Sequence, residues 1–270
     1  MTKDTVIVPL SDMHSGSTTA LCPNRFMQFK HTNHTPLSAQ VRMYEHFEKC
    51  AGVVREARKG KDLVVVCVGD AIDGVHHDTL QIFTRLVNEQ MDVHEELMTC
   101  FKKAVGFKAT DRLYYVTGTE VHVEDTEDLL AHRLGAVPNG PVSAFDELYL
   151  DVNSRRLWFS HHGRSPGKGA NKGNTLRNWL KDVYHEAMQE GIAPPDFVIT
   201  GHTHNPYYEN YVARRDGHYH IIHGLICPSW QQKTRYAYKV APLVKNKIGM
   251  QHFTVTKDGH ITDPVEMLMD

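Results

Sequence analysis

Long apolar runs are scarce in this chain, and so is any surplus of one charge. The longest strictly apolar stretch, Leu63–Val68, falls far short of the roughly 20 residues that a membrane-spanning helix needs, so no membrane association is expected. The first residues hold no extended apolar segment followed by a small-residue cleavage site, so no secretory signal peptide is expected either. Thirty basic side chains face 32 acidic ones, a net charge of −2, which excludes coating of nucleic acid by bulk positive charge. The five cysteines, Cys22, Cys50, Cys67, Cys100 and Cys227, include no Cys-x-x-Cys pair. Isolated thiols in odd number argue against a disulfide scaffold or a thiolate zinc site and suit a reducing, cytoplasmic location. Internal repeats, low-complexity tracts and linker-like segments are also absent, so residues 1–270 are expected to form a single domain.

Histidine, by contrast, is abundant, at 19 of 270 residues, and its placement follows the secondary structure. Val6–Leu10, Leu63–Val68, Leu113–Val116 and Phe197–Thr200 read as short strands; the unalternating β-branched run Leu63–Val68 suits a strand buried on both faces. Leu148–Val152 and Arg156–Ser160 read as a strand pair around the turn Asn153-Ser154. Helical spacing of apolar residues marks Leu37–Arg58, 79–105, 126–134 and a segment carrying Leu176, Leu180, Val183 and Ala187. From Tyr207 onward the pattern is hairpin-rich, with Asp216-Gly217 and Asp258-Gly259 as turns. Alternating β and α elements followed by a β-rich third predict an α/β fold, with two sheets face to face flanked by helices. In such folds ligands collect beyond the carboxyl ends of the strands.

Those ends carry Asp12-Met13-His14, Gly69-Asp70-Ala71-Ile72-Asp73, Gly118-Thr119-Glu120-Val121-His122, His161-His162-Gly163 and Gly201-His202-Thr203-His204. Asp-x-His and His-x-His in extended chain would place both side chains of each pair on one side. Carboxylate and imidazole without thiolate suit manganese, iron, cobalt or zinc rather than calcium or magnesium alone. Six or seven such groups exceed the needs of one ion, and two ions sharing a carboxylate use them better. A two-metal site is a phosphoryl-transfer device: its ions hold a bridging hydroxide and take up charge as the ester bond breaks.

The order D-x-H, G-D-x-x-D, a glycine motif with histidine, an isolated histidine and G-H-T-H, spread from residue 12 to residue 204, resembles the calcineurin-like metallophosphoesterases, and within them the stand-alone phage and prophage members. The resemblance implies the two-sheet fold of that family and a host-cytoplasmic location for a phage-encoded chain. It also implies a dinuclear centre, with manganese expected first and iron, zinc or cobalt as alternatives. Asp12, His14 and His204 match ligands of the first metal, Asp70 the bridging carboxylate, and His161 and His202 ligands of the second. Asp73 matches an aspartate that supports the site by hydrogen bonding. The third motif departs from the family's G-N-H-[DE]: the asparagine is gone and the histidine is displaced. His122 could still reach the phosphate or protonate the leaving oxygen; otherwise His122 or Glu120 could replace the asparagine as ligand. Of His161 and His162, the first past the strand is assigned to metal and His162 to substrate.

Two cationic segments bear on the substrate. Arg164, Lys168 and Lys172, with Arg177 beyond, form a glycine-rich basic loop after His161 that could hold phosphate or a nucleic-acid backbone. Trp230–Lys239 interleaves aromatic and basic residues, the mixture that stacks bases, although a β-hairpin with aromatic and basic faces would read the same way. The expected function is therefore phosphodiester hydrolysis in nucleic acid or nucleotides. A phosphomonoesterase (nucleotidase or protein phosphatase) and a degenerate, non-catalytic binding scaffold are the alternatives.

Overall fold

Runs of parallel strands, extended by antiparallel ones, build two large sheets beside a two-stranded one. The computed structural model describes residues 2–75, 81–120, 125–215, 217–240 and 246–269. Its strands are β1 (Thr5–Leu10), β2 (Met27–Gln28), β3 (Asn33–His34), β4 (Asp62–Val68), β5 (Arg112–Val116), β6 (Ala144–Phe145), β7 (Glu147–Val152), β8 (Arg155–Ser160), β9 (Phe197–Thr200), β10 (Tyr207–Arg215), β11 (His218–Ile226), β12 (Gly249–Val255) and β13 (Val265–Leu268). The helices are α1 (Ser38–Ala57), α2 (Val87–Val105), α3 (Thr126–Arg133), α4 (Asn174–Glu190) and the short α5 (Arg235–Val240).

A six-stranded sheet has the order β13-β12-β1-β4-β5-β6 and a five-stranded sheet the order β10-β11-β9-β8-β7. In the first, β1, β4, β5 and β6 run parallel; in the second, β8, β9 and β11 do. The sequence of β4 explains its place. Val64, Val66 and Val68 face the second sheet, in one layer with Leu157, Phe159, Phe197 and Ile199. Leu63, Val65 and Cys67 face the other way, among Met43, Phe47, Leu97 and Phe101 of α1 and α2. A strand with two buried faces has no use for polar alternation. Phe197 of one sheet meets Phe253 of the other with ring centroids 4.5 Å apart, and α4 covers the outer face of the second sheet through Leu176, Leu180 and Val183. The expected helix–sheet–sheet–helix α/β fold is the observed one. No described helix is long and apolar enough to cross a membrane.

Two local expectations are corrected. Of the helical pattern over 79–105, the described residues are helix only from Val87, because the segment 81–86 is tied to the loop after β1. Phe83 donates its amide to Gly16 O at 2.9 Å and stacks on His34 and Phe29 at 4.3 and 5.4 Å. The Trp230–Lys239 segment is not a hairpin. Trp230 is fully buried beside Phe47, with ring centroids 5.1 Å apart, and the chain beyond it turns into α5.

Candidate metal centre

The parallel strands deliver their carboxyl ends to one edge of both sheets, and the loops there continue the ladder for several residues. Asp12 N donates to Gly69 O at 3.1 Å, His14 N to Asp70 O at 2.9 Å and Ser15 N to Ala71 O at 3.0 Å. Across the sheets, His202 N donates to the Asp12 carboxylate at 3.0 and 3.2 Å; within the second sheet, Gly201 N donates to His161 O at 3.1 Å. The loops touch closely. A Cβ on Gly69 would fall on the His161 ring and 2.8 Å from Gly118 Cα, and one on Gly118 would fall on the Asp70 amide nitrogen and carboxylate.

The backbone at these residues is not the extended chain expected from the sequence. Asp12, His14, Asp70, His202 and His204 have φ of 52°, 44°, 51°, 67° and 53°. Among the described residues only the turn pair Asn153 and Ser154 joins them outside glycine with positive φ. Left-handed residues of this kind cost about 1–3 kcal/mol each and gather where function fixes them. Asp12 and His14 still converge, with His14 Nε2 4.0 Å from Asp12 Oδ1, through two left-handed kinks rather than through the alternation of a strand, whereas His202 and His204 are shared out between two donor groups.

Two sets of donor atoms result. In the first, Asp12 Oδ1 lies 3.0 Å from His204 Nε2, and His14 Nε2 lies 3.3 Å from His204 Nε2 and 3.7 Å from Asp70 Oδ2. In the second, Asp70 Oδ2 lies 3.2 Å from His161 Nε2. Asp12, Asp70 and His161 link the sets, and His161, His162 and His202 form a third cluster, each with ligand atoms within 4.8 Å of one another. His162 thus stands beside the second set: its ring is 4.9 Å from that of His161 and 4.7 Å from that of His202, and it is exposed where His161 is buried.

Hydrogen bonds behind the donors fix their orientation. His161 Nδ1 donates to Val68 O at 2.8 Å, which turns Nε2 toward Asp70 as the nitrogen that can ligate a metal once it gives up its proton. His14 Nδ1 lies 3.1 Å from Asp73 Oδ1, which also accepts from Gln231 Nε2 at 2.8 Å. The Asn246 carboxamide lies 2.9 Å from His204 Nδ1. Glu127 is completely buried and accepts from the amides of Ala71, at 3.0 Å, and Gly118, so it clasps the two loops that carry Asp70 and Thr119.

Burial and mutual charge set the titration of the metal-free cluster. Burial opposes ionisation of Asp12, but the charge and hydrogen bond of His204 outweigh it and bring the carboxyl down to about 2. For His161, burial is outweighed by Asp70, and its proton is held up to about 10. His14 is raised against burial by its bond to Asp73. Burial, with His161 nearby, depresses His202 to about 4 and also lowers His162. Burial lifts Glu127 to about 7.

Asp12, His14, Asp70, Asp73, His161, His202 and His204 are therefore brought together. Glu120 is exposed and joins no donor group among the described residues. His122, and with it residues 76–77, lies outside the described residues. Arg164 and Lys168 are exposed, and their side chains have no hydrogen bond or ion pair among the described residues, whereas Lys172 lies over the Tyr207 ring and Arg177 pairs with Glu209 at 3.0 Å. Sequence reasoning missed Thr119, Gln231, Asn246 and Glu127. Thr119 stands directly after the glycine of the third motif, which could have flagged it; the other three belong to no motif.

The donor set fits divalent ions: mixed carboxylate and imidazole, mutually within ligand distance, with ring tautomers fixed from behind. No protein-family model matches the chain, and no curated protein matches it. Several solved structures are similar in outline. Vacuolar protein sorting 29 from Cryptosporidium parvum is 12% identical with a TM-score of 0.43, over 99% of each chain. A zinc complex of Vps29 from Entamoeba histolytica is 15% identical with a TM-score of 0.38, over 97% of this chain and 99% of that one. A 5'-nucleotidase from Candida albicans is 9% identical with a TM-score of 0.37, over 96% of this chain and 48% of that one. Likeness at this level says nothing about chemistry, which the site's own geometry has to carry.

Proposed function

We propose that the chain is a metal-dependent phosphoester hydrolase with two divalent ions, manganese first among them, and that it cleaves phosphodiesters of nucleic acid or nucleotides. One observation carries this: two donor groups, Asp12–His14–His204 and His161–His162–His202, are joined by a third, Asp12–Asp70–His161. Two ions held side by side polarise phosphoryl oxygens and lower the pKa of bound water. Asp70 stands between the sets and serves both. Asp73, held by Gln231, orients His14 rather than reaching an ion itself. His162 and His202 form the exposed edge of the centre, so the ester approaches there. Arg164 and Lys168, on the segment that leaves this edge, supply positive charge for a diester backbone. The order of motifs shared with the calcineurin-like metallophosphoesterases supports the same reading.

The test is elemental analysis of the purified chain, joined to hydrolysis of bis-p-nitrophenyl phosphate and p-nitrophenyl phosphate after loading with Mn²⁺. Two ions per chain and preference for the diester are expected, and preference for the monoester would make the protein a phosphomonoesterase. A folded chain that takes up no metal and turns over neither ester would refute the proposal. In the same assay Asp70→Asn removes the shared charge and is expected to abolish turnover without unfolding the chain.

A further inference from the structure

The third motif departs from its family at the position where an asparagine would bind the second ion, and a threonine stands there. Its hydroxyl has unusual surroundings. Thr119 Oγ1 lies 3.4 Å from Asp70 Oδ2, 3.3 Å from His161 Nε2 and 3.4 Å from His202 Nδ1. Hydroxyl hydrogen bonds centre on about 2.7–2.8 Å, so this oxygen is too far from all three neighbours to be well bonded to any one. The residue is nonetheless firmly placed: its amide donates to Asp70 Oδ1 at 2.7 Å, and Gly118 before it packs against Asp70 without room for a side chain.

Near-equal spacing has another meaning. Metal–nitrogen and metal–oxygen bonds of about 2.0–2.2 Å in a tetrahedron separate the ligand atoms by about 3.3–3.6 Å. The three Thr119 separations fall in or beside that range, as does the 3.2 Å between Asp70 Oδ2 and His161 Nε2. These four of the six separations among the four atoms are those of one coordination shell. We infer that the Thr119 hydroxyl is the fourth protein donor to the second ion, in place of the asparagine and in place of His122 or Glu120. The inference rests on the two-ion reading above and adds to it a ligand and a consequence. The first set holds its ion with Asp12 and a share of Asp70, whereas the second has Asp70 alone, two imidazoles and a neutral hydroxyl. The second ion is bound more weakly, and the sites fill in order.

Titration of the metal-stripped full-length chain with Mn²⁺, and with Co²⁺ as a spectroscopic probe, tests this without reference to turnover. Wild type is expected to bind two ions in separable steps. Thr119→Val keeps the shape and the amide bond to Asp70 but loses the hydroxyl; it should keep the first ion unchanged and bind the second at least tenfold more weakly. Thr119→Ser and Thr119→Asn should bind both. If Thr119→Val does not fold, as judged by its melt, the comparison of Thr119→Ser with Thr119→Ala decides the matter. A two-ion wild type whose Thr119→Val variant holds the second ion equally tightly overturns this inference alone. A wild type that binds no second ion overturns it together with the reading on which it rests.

Discussion

Gly118 is where the structure makes its most exposed claim, because nothing in a helix or strand propensity explains a glycine there. An added Cβ would meet the Asp70 amide nitrogen and Oδ1 and come within 3.0 Å of Asp70 Cα. These are backbone and ligand atoms that no rotamer change can move aside. Gly118→Ala must therefore part the loop after β5 from the loop after β4. Overpacking of this kind costs about 1–3 kcal/mol. Parting the loops also weakens two bonds to carboxylates, Thr119 N to Asp70 and Gly118 N to Glu127, each worth about 1.5–3 kcal/mol when fully lost. A total near 4 kcal/mol should lower the melting temperature by about 10 °C in a chain of this size. Thermal melts of the metal-free protein, followed by Mn²⁺ titration, read both effects, and affinity for the second ion should fall with stability. Gly52→Ala is the internal comparison. Its Cβ meets nothing within 4 Å in the middle of α1, so that variant should gain about 0.5–1 kcal/mol. If Gly118→Ala melts within 2 °C of wild type and binds metal normally, the loops do not pack as described.

Two further predictions concern the frame around the site. His94 is fully buried, its Nε2 2.9 Å from the Tyr115 hydroxyl, and burial depresses it from 6.5 to about 4. The unfolded chain binds this proton below pH 6.5 and the folded chain does not until about pH 4. Stability is therefore complete above pH 6.5 and falls by about 3 kcal/mol as the pH drops through that window. Urea unfolding at pH 7 and pH 4.5 should show the loss, and His94→Gln should diminish it; an equal loss in the variant would contradict the assignment. Arg58 grips Asp111 at 2.6 and 2.9 Å, and Asp111 also accepts from the amides of Leu63 and Lys108. Asp111→Ala leaves a buried guanidinium unpaired and should cost about 3–5 kcal/mol, measured by denaturant melts, with under 1 kcal/mol counting against it.

The parts of the fold that the sequence made legible are those whose burial dictates their composition. Leu63–Val68 and Phe197–Thr200 sit between two apolar layers, so their residues could only be apolar and β-branched or aromatic. The start of α2 was illegible because Phe83 continues its spacing while answering to other partners, Gly16, Phe29 and His34. Trp230 misled for a similar reason, since a tryptophan among basic residues looks the same whether it stacks a base or fills the core against Phe47. At the site, the residue types and their places at strand ends were readable, because carboxylates and imidazoles are few and strand ends are recognisable. Their left-handed backbones were not, since no local pattern encodes them. Gln231 and Asn246 reach the centre from a stretch with no motif at all, and a threonine hydroxyl carries no signature until three donors are seen around it.

The order of strands in the first sheet has a consequence for how the chain is made. β1 lies between β4 and β12, with Thr5 paired to Val255, and Trp230 N caps the carbonyl of Asp12 at 3.0 Å. β1 (Thr5–Leu10) is thus flanked by a strand, β12 (Gly249–Val255), that is made much later. At about 5–20 residues per second, β1 waits roughly 10–50 s for its partner. Throughout that interval the edge of β1 that β12 covers, at Thr5, Val6 and Ile7, is open. An open strand edge is a template for pairing with another chain, so chaperone occupancy on the nascent chain should concentrate on β1 until β12 emerges.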